Sequence, residues 1–221
     1  MLKTSLHTIH ISPTLGNVSA EVIEPEKLKG ILTLAHGAGA GMNHPFMVAL
    51  SNALASLNIG TVRFNFPFTE LKKKRPDVPP VAYKTIEAAI QKTKELFPSI
   101  PLFAGGKSFG GRMTSQYLAK QDSKDVNGIV FVGFPLHPPG KPSIERADHL
   151  KDVKIPMLFL QGTRDELAHW ELIAQVTSAL PLASLIRLEG ADHGFKVPRQ
   201  NILPTLATEI DTWITKLLAR N

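Results

Sequence analysis

The sequence predicts an α/β fold, with a mostly parallel central sheet that carries helices on both faces. Continuous apolar runs alternate along the chain with amphipathic segments. Such runs are typical of parallel strands that are buried on both faces. The length of 221 residues suits one domain with a substantial core, so we predict a single domain over 1–221.

The elements follow in order from these patterns. Strands are predicted at 4–11 and 17–24 (an antiparallel pair joined by a turn at 13–17), 30–35, 61–66, 101–105, 126–133, 155–161 and 183–188. Helices are predicted at 45–57, with Asn43 as cap, and at 80–97, 113–120 and 169–179. A final amphipathic helix presents one face made of Ile202, Leu206, Ile210, Trp213, Ile214 and Leu217. The segment 67–79 is predicted to be a polar loop, and 134–154 is too short to form a large lid.

Composition excludes several kinds of protein. The chain is 43% hydrophobic and 20% charged, as is ordinary for a globular protein. It has no cysteine, which excludes disulfides, zinc–thiolate sites and a cysteine nucleophile. The first residues lack the apolar run of a signal peptide, and no apolar stretch reaches the length of a membrane span. We therefore expect a cytoplasmic protein with no membrane partner.

The net charge of +6 raises the question of a nucleic-acid partner. The one dense basic cluster, 72–75, is followed by prolines and an aspartate, which is typical of a solvated loop. No aromatic residues are interleaved with it, as a single-strand-binding surface would need. We therefore predict no nucleic-acid partner.

The apolar run at 102–105 leads into the pattern G-x-S-x-G, formed by Gly106, Ser108 and Gly110. This pattern is typical of a nucleophile elbow, a tight strand-to-helix turn that exposes a serine hydroxyl. A serine hydroxyl is a weak nucleophile at neutral pH, so it needs an imidazole to take its proton and a carboxylate to orient the imidazole.

Candidates for both partners follow later strands, in the order Ser, acid, His. Asp165 follows the strand at 155–161, although an aspartate there also suits a helix cap, and the adjacent Glu166 is an alternative acid. His193 follows the strand at 183–188 and is the predicted base. His149 repeats the Ala-Asp-His pattern, but it precedes the acid and follows no strand; His169 lies near a helix start.

Backbone amides are predicted to stabilise the oxyanion. One is that of Phe109, directly after the serine, and the other is that of Ala38, in a glycine-rich loop after the strand at 30–35. His36 is expected to brace this loop by hydrogen bonding. The predicted substrate-binding residues are His36, Gly37, Phe68, Lys107 and His137. The alternative role for Lys107 and Arg112 is a salt bridge. The alternative for the segment 134–142 is that its prolines serve only to make the loop rigid.

Five segments give the chain a family resemblance: 36–39, 66–68, 105–112, 134–142 and 161–165. In these it resembles the α/β-hydrolase superfamily in its small form with a minimal lid. Within that superfamily it is similar to predicted hydrolases related to the animal testis-expressed hydrolase-like proteins, and more distantly to dienelactone hydrolases. The dienelactone hydrolases use a cysteine nucleophile, so the resemblance implies fold and triad but not their substrate.

The predicted function is a cofactor-free and metal-free serine hydrolase, a carboxylesterase or thioesterase acting on a small ester or thioester through an acyl-enzyme. A monomer or homodimer is expected. One alternative is a non-catalytic interaction module on the same fold. Another is a nucleotide-binding loop, because Gly106-Lys107-Ser108 resembles the end of a phosphate loop; such a loop needs a glycine six residues before the lysine, and that position is Pro101.

Overall fold

The computed structural model describes residues 2–121 and 124–219 and is built on an eight-stranded sheet. The strands are β1 (Lys3–Ser12), β2 (Gly16–Glu24), β3 (Gly30–Ala35), β4 (Ile59–Phe64), β5 (Leu102–Lys107), β6 (Ile129–Val132), β7 (Met157–Gly162) and β8 (Ala183–Leu188). The helices are α1 (Pro45–Ala55), α2 (Pro67–Glu70), α3 (Pro79–Leu96), α4 (Phe109–Leu118), α5 (Trp170–Ser178) and α6 (Leu203–Leu218). A 3-10 helix spans Glu145–Asp152.

The strand order across the sheet is β1-β2-β4-β3-β5-β6-β7-β8. β1 and β2 form an antiparallel hairpin, and β2 is antiparallel to β4; the remaining neighbours are parallel. The predicted mostly parallel sheet is therefore confirmed. Because the parallel strands point the same way, the segments that follow β3, β5, β7 and β8 meet at one edge of the sheet.

Side chains alternate between two buried layers on either side of the sheet. In β3, Ile31 packs in the layer that includes residues of α3, α4 and α5, whereas Leu32 packs in the layer that includes residues of α1 and α6. Helices thus cover both faces, as predicted. The single-domain organisation stays a prediction.

The structure differs from the prediction in parts of both element types: β4 lies two residues earlier than the predicted 61–66, and β6 begins at Ile129 and not at 126. His44, not Asn43, caps α1, and its Nδ1 accepts a hydrogen bond from the Phe46 amide at 3.3 Å. α4 begins at Phe109 instead of 113, directly after the serine. The predicted loop 67–79 contains the short helix α2, with Pro67 at its first position. Within the described residues, each helix is too short or too polar to cross a membrane.

Candidate active site

The elbow serine lies in a strained turn between β5 and α4. Ser108 has φ 51° and ψ −115°, a backbone conformation that is unfavourable for a residue with a side chain. The two motif glycines are required by their close approach to β3. A Cβ at Gly106 would clash with the carbonyl oxygen of Ala35, and one at Gly110 would lie 2.6 Å from that of His36. The pattern G-x-S-x-G is therefore a steric requirement of this turn.

Ser108, His193 and Asp165 form a continuous chain of hydrogen bonds. The Ser108 Oγ lies 2.9 Å from His193 Nε2, and His193 Nδ1 lies 2.7 Å from Asp165 Oδ2. Because a carboxylate can only accept, Nδ1 carries the hydrogen and donates it to Asp165. Nε2 is then left to accept the hydrogen of the serine hydroxyl, which is the arrangement that a general base needs.

Two further donors hold the carboxylate of Asp165, which is 3% exposed. Gln161 Nε2 donates to its Oδ2 at 2.6 Å, and the Leu167 amide donates to its Oδ1 at 2.8 Å. Gln161 is itself fixed, because its Oε1 accepts from the Phe134 amide at 2.9 Å. Gln161 was not among the predicted site residues. The sequence feature that could have indicated its role is a polar residue inside a predicted buried strand, four positions before the predicted acid.

A cavity of about 320 Å³ opens beside the serine. The glycine-rich loop, the start of α1 and the histidine loop form its walls. It is lined by Gly37, Ala38, Gly39, Ala40, His44, Phe46, Met47, Lys107, Ser108, Leu167, His193 and Gly194. The contribution of α1 was not predicted, although Phe46 follows the glycine-rich loop within a few positions. A second depression, of about 400 Å³ between β1 and α3, has none of these residues in its lining.

The two predicted oxyanion donors lie near the serine. Phe109 is the first residue of α4, and Ala38 lines the cavity together with Ser108. Neither amide donates a hydrogen bond to another residue in the part of the chain that the structure describes. A Cβ at Gly37 would lie 3.7 Å from Ser108 Cβ, so the loop passes close to the serine. The donor roles stay predictions that this geometry permits.

His36 is fully buried under the glycine-rich loop. Its Nδ1 donates to the Gly37 carbonyl at 2.8 Å, and its Nε2 accepts from the Phe66 amide at 3.2 Å. Burial lowers the pKa of His36 to about 4, against the smaller opposing effect of the Gly37 hydrogen bond. The ring is therefore neutral at pH 7, and its contacts fit the bracing role that the sequence indicated.

Three of the predicted substrate-binding residues do not reach the cavity. His36 is absent from its lining, Phe68 stacks on Phe66 and meets the ring of Phe109 edge-on, and His137 is fully buried. The Nε2 of His137 accepts from the His169 amide at 3.1 Å, which fixes the 134–142 segment against the start of α5. Direct substrate contact is thus unsupported for these three, because other side chains and backbone cover them.

Gly37 and Lys107 do line the cavity. The expected alternative for Lys107, a salt bridge, is not what the structure shows. Its Nζ donates to the carbonyl oxygen of His193 at 2.6 Å. Burial lowers the pKa of Lys107 to about 8, although Asp165 and Asp192 act in the opposite direction.

The alternative candidates for acid and base lie elsewhere. His149 is 2.7 Å from Ser115 Oγ on α4, and burial together with the nearby Arg112 lowers its pKa to about 4. Glu166 is exposed, and His169 caps α5. The structure thus brings Asp165 and His193, and not these residues, to the elbow serine.

The eight-stranded sheet and the strained serine turn define the α/β-hydrolase class. Residues 28–218 match the family model described as alpha/beta hydrolase domain, and the chain belongs to this family. The closer link to testis-expressed hydrolase-like proteins stays a prediction.

Solved structures share the fold over nearly the whole chain. A dienelactone hydrolase from Anabaena variabilis is 18% identical with a TM-score of 0.79, covering 97% of this chain and 98% of that one. Est1E from Butyrivibrio proteoclasticus is 13% identical with a TM-score of 0.75, covering 97% and 99%. XC6422 from Xanthomonas campestris, described as an a/b serine hydrolase without lid, is 19% identical with a TM-score of 0.73, covering 99% and 94%.

Proposed function

We propose that this protein is a serine hydrolase that cleaves a small carboxylic ester or thioester through an acyl-enzyme, with Ser108, His193 and Asp165 as catalytic triad. The observation that carries the proposal is the chain of hydrogen bonds from the strained serine through His193 to the buried Asp165. An interaction module would need neither the strained turn nor this alignment, so the catalytic alternative is favoured. Lys107 is bound to a carbonyl instead of facing a phosphate cradle, which argues against a nucleotide loop.

The reaction proceeds by two acyl transfers. Ser108 Oγ attacks the acyl carbon while His193 Nε2 takes its proton, and Asp165 stabilises the resulting imidazolium. The amides of Phe109 and Ala38 donate to the oxyanion of the tetrahedral intermediate. His193 then protonates the leaving alcohol or thiol, and a water molecule deprotonated by the same imidazole hydrolyses the acyl-enzyme. This chemistry needs no metal or cofactor.

The cavity supports a small substrate. Its volume of about 320 Å³ is near the lower end for ligand pockets. Phe46, Met47 and Leu167 supply apolar surface for an acyl or alcohol group beside the serine. The cytoplasmic location and the monomeric or homodimeric state stay predictions.

The test combines a fluorophosphonate probe with a panel of neutral esters and thioesters of increasing acyl length. We expect the wild type to be labelled and to turn over short acyl substrates. Ser108→Ala should lose labelling and lower kcat by about 10⁴-fold or more. Ser178→Ala, which changes an exposed serine on α5, is the matched control and should leave both unchanged.

Two outcomes would contradict the proposal. Equal labelling of Ser108→Ala would place the nucleophile elsewhere. A folded wild type that is neither labelled nor active on any ester or thioester would favour the interaction module.

A further inference from the structure

Lys107 links the nucleophile strand to the loop that carries the base. It is the last residue of β5 and directly precedes Ser108, and its Nζ donates to the His193 carbonyl at 2.6 Å. Among the described residues, two hydrogen bonds join this strand end to His193: this one and that between Ser108 Oγ and His193 Nε2. Lys107 therefore contacts the backbone carbonyl of His193, and Ser108 contacts its ring.

These two contacts have different lifetimes in the proposed reaction. The contact between Ser108 and His193 changes when the proton moves, and an acylated serine has no hydroxyl hydrogen left to donate. The contact from Lys107 to the His193 carbonyl is not consumed by either acyl transfer. It can therefore hold the imidazole in place while the acyl-enzyme awaits water.

The histidine loop is held on both sides of His193, by the buried Ala191 before it and by the buried Phe195, stacked on Phe46, after it. Phe195 has φ 61°, and Gly190 has φ 69°, so the loop contains two left-handed turns. Its internal bonds are short-range, such as that from the Phe195 amide to the Asp192 carbonyl at 2.9 Å. A bond from the Arg164 amide to the Ala191 carbonyl, at 3.0 Å, ties the loop's stem to the segment after β7. Lys107 supplies support from the opposite side, at His193 itself.

The surroundings of the ammonium are shaped to fit it. The Phe195 ring lies with its centroid 5.2 Å from Nζ, a cation–π distance. A Cβ at Gly133 would lie 3.3 Å from both Nζ and the Phe195 ring, and the φ of 73° at this position also favours glycine. Among the described residues no carboxylate forms an ion pair with this ammonium. Lys107 is half-buried, and the charges of Asp165 and Asp192 act on it from beyond ion-pair distance, so its hydrogen bond to the His193 carbonyl and the Phe195 ring offset the cost of its partial desolvation.

We propose that Lys107 is a positioning residue, which holds the loop of the general base His193 in register with Ser108 through its hydrogen bond to the His193 carbonyl. The inference rests on the proposed function and replaces the substrate-binding role that the sequence indicated for Lys107. The cavity position of Lys107 makes recognition of an anionic substrate the competing explanation.

The first experiment compares Lys107→Met with Lys196→Met, which changes an exposed lysine on the same loop. On a neutral ester, Lys107→Met should lower kcat by about 10- to 100-fold and leave KM nearly unchanged, because misplacement of the base affects the chemical steps. Lys196→Met should match the wild type. An unchanged kcat, or a raised KM confined to carboxylate-bearing esters, would overturn the proposal.

The second experiment is chemical rescue of Lys107→Ala. Propylammonium replaces the atoms removed and should restore part of kcat, whereas tetramethylammonium carries the charge without an N–H and should not. Equal rescue by both cations, or by neither in a folded variant, would contradict a hydrogen-bonding role.

A third measurement separates failure of this inference from failure of the proposed function, since it needs no turnover. Hydrogen exchange of segment 189–195 should be faster in Lys107→Met than in the wild type and in Lys196→Met. Unchanged exchange would overturn the inference even if the enzyme is active. Faster exchange in a protein without hydrolase activity would support the contact and reject the proposed function alone.

Discussion

At the scale of single residues, Asp165 depends on neighbours outside the proposed triad. Its two carboxylate oxygens accept from Gln161 and from the Leu167 amide, in addition to His193. Charge-assisted bonds of this kind fix a carboxylate more firmly than neutral ones. Gln161 therefore orients Asp165 in the way that outer hydrogen-bond partners orient the histidine ligands of metal sites.

Gln161→Leu should weaken both activity and stability. Loss of the Nε2 donor leaves Asp165 less firmly oriented, and we expect kcat to fall by about 10-fold. The Phe134 amide loses its acceptor, so the free energy of unfolding should fall by about 1–3 kcal/mol. Steady-state kinetics and urea unfolding measure the two effects.

Gln175→Leu, at an exposed site on α5, is the control and should change neither quantity. Wild-type kinetics in Gln161→Leu would show that Asp165 is held well enough by the other two partners.

Residue identities at the site could be predicted where a short pattern carries the chemistry. Ser108 lies in a five-residue pattern, and Asp165 and His193 each follow a buried strand, so sequence order and strand ends were sufficient to select them. The contact from Lys107 to His193 could not be predicted, because 86 positions separate the two residues and a backbone carbonyl leaves no pattern. The sequence likewise does not show whether the side chains of Phe68 and His137 are buried or line the cavity, because that depends on the tertiary packing around them.

At the scale of elements, the elbow depends on the close packing of α4 against the end of β3. Gly110 approaches the carbonyl oxygens of both Ala35 and His36. Backbone atoms cannot move aside as a flexible side chain can, so an added methyl group must displace the helix or the strand.

Gly110→Ala should therefore lower the free energy of unfolding by about 1–3 kcal/mol, as expected for overpacking. Gly110→Ala should also slow labelling of Ser108 by the fluorophosphonate probe, because a displaced α4 changes the turn that holds Ser108. Denaturant unfolding and the labelling rate are the measurements.

Gly39→Ala provides a matched control for stability, because a Cβ there meets no atom within 4 Å. Equal unfolding midpoints for the two variants would refute the steric account of the elbow.

The start of α4 and the short helix α2 were not predicted, for a physical reason. α4 opens with Phe109-Gly110-Gly111, which has low helix propensity, and tertiary packing at the elbow overrides it. α2 is short, and its stability comes from a contact outside the helix: Glu70 Oε1 accepts from the Ser19 amide at 2.6 Å and from Asn65 Nδ2 at 3.0 Å. β3 was predicted at its observed bounds, because its continuous apolar run marks its own ends.

At the scale of the whole molecule, the fully buried His36 and the half-buried His149 make stability depend on pH. Burial is the main cause that lowers the pKa values of His36 and His149 from 6.5 to about 4. Between these values the unfolded chain binds a proton at each histidine that the folded chain does not bind. Their contribution is therefore complete above pH 6.5 and is lost as the pH falls toward 4.

The melting temperature should fall between pH 6.5 and pH 4.5, and His149→Gln should reduce that fall because one titrating group is removed. His10→Gln, at an exposed site on β1, is the control and should leave the slope unchanged. Thermal unfolding followed by circular dichroism at several pH values gives the slopes. Parallel curves for the wild type and His149→Gln would be inconsistent with a protonation-linked contribution from His149.

The neutral His36 also has a consequence for the conformational entropy of substrate binding. Its two ring nitrogens join the Gly37 carbonyl to the Phe66 amide, and the Ala40 amide closes the same loop onto Gly37 at 3.2 Å. The loop thus loses its backbone freedom during folding and not during each catalytic cycle. In the proposed reaction, a substrate that enters the cavity would therefore meet amide groups whose directions are already set, and its binding free energy would not be reduced by a loop-ordering term.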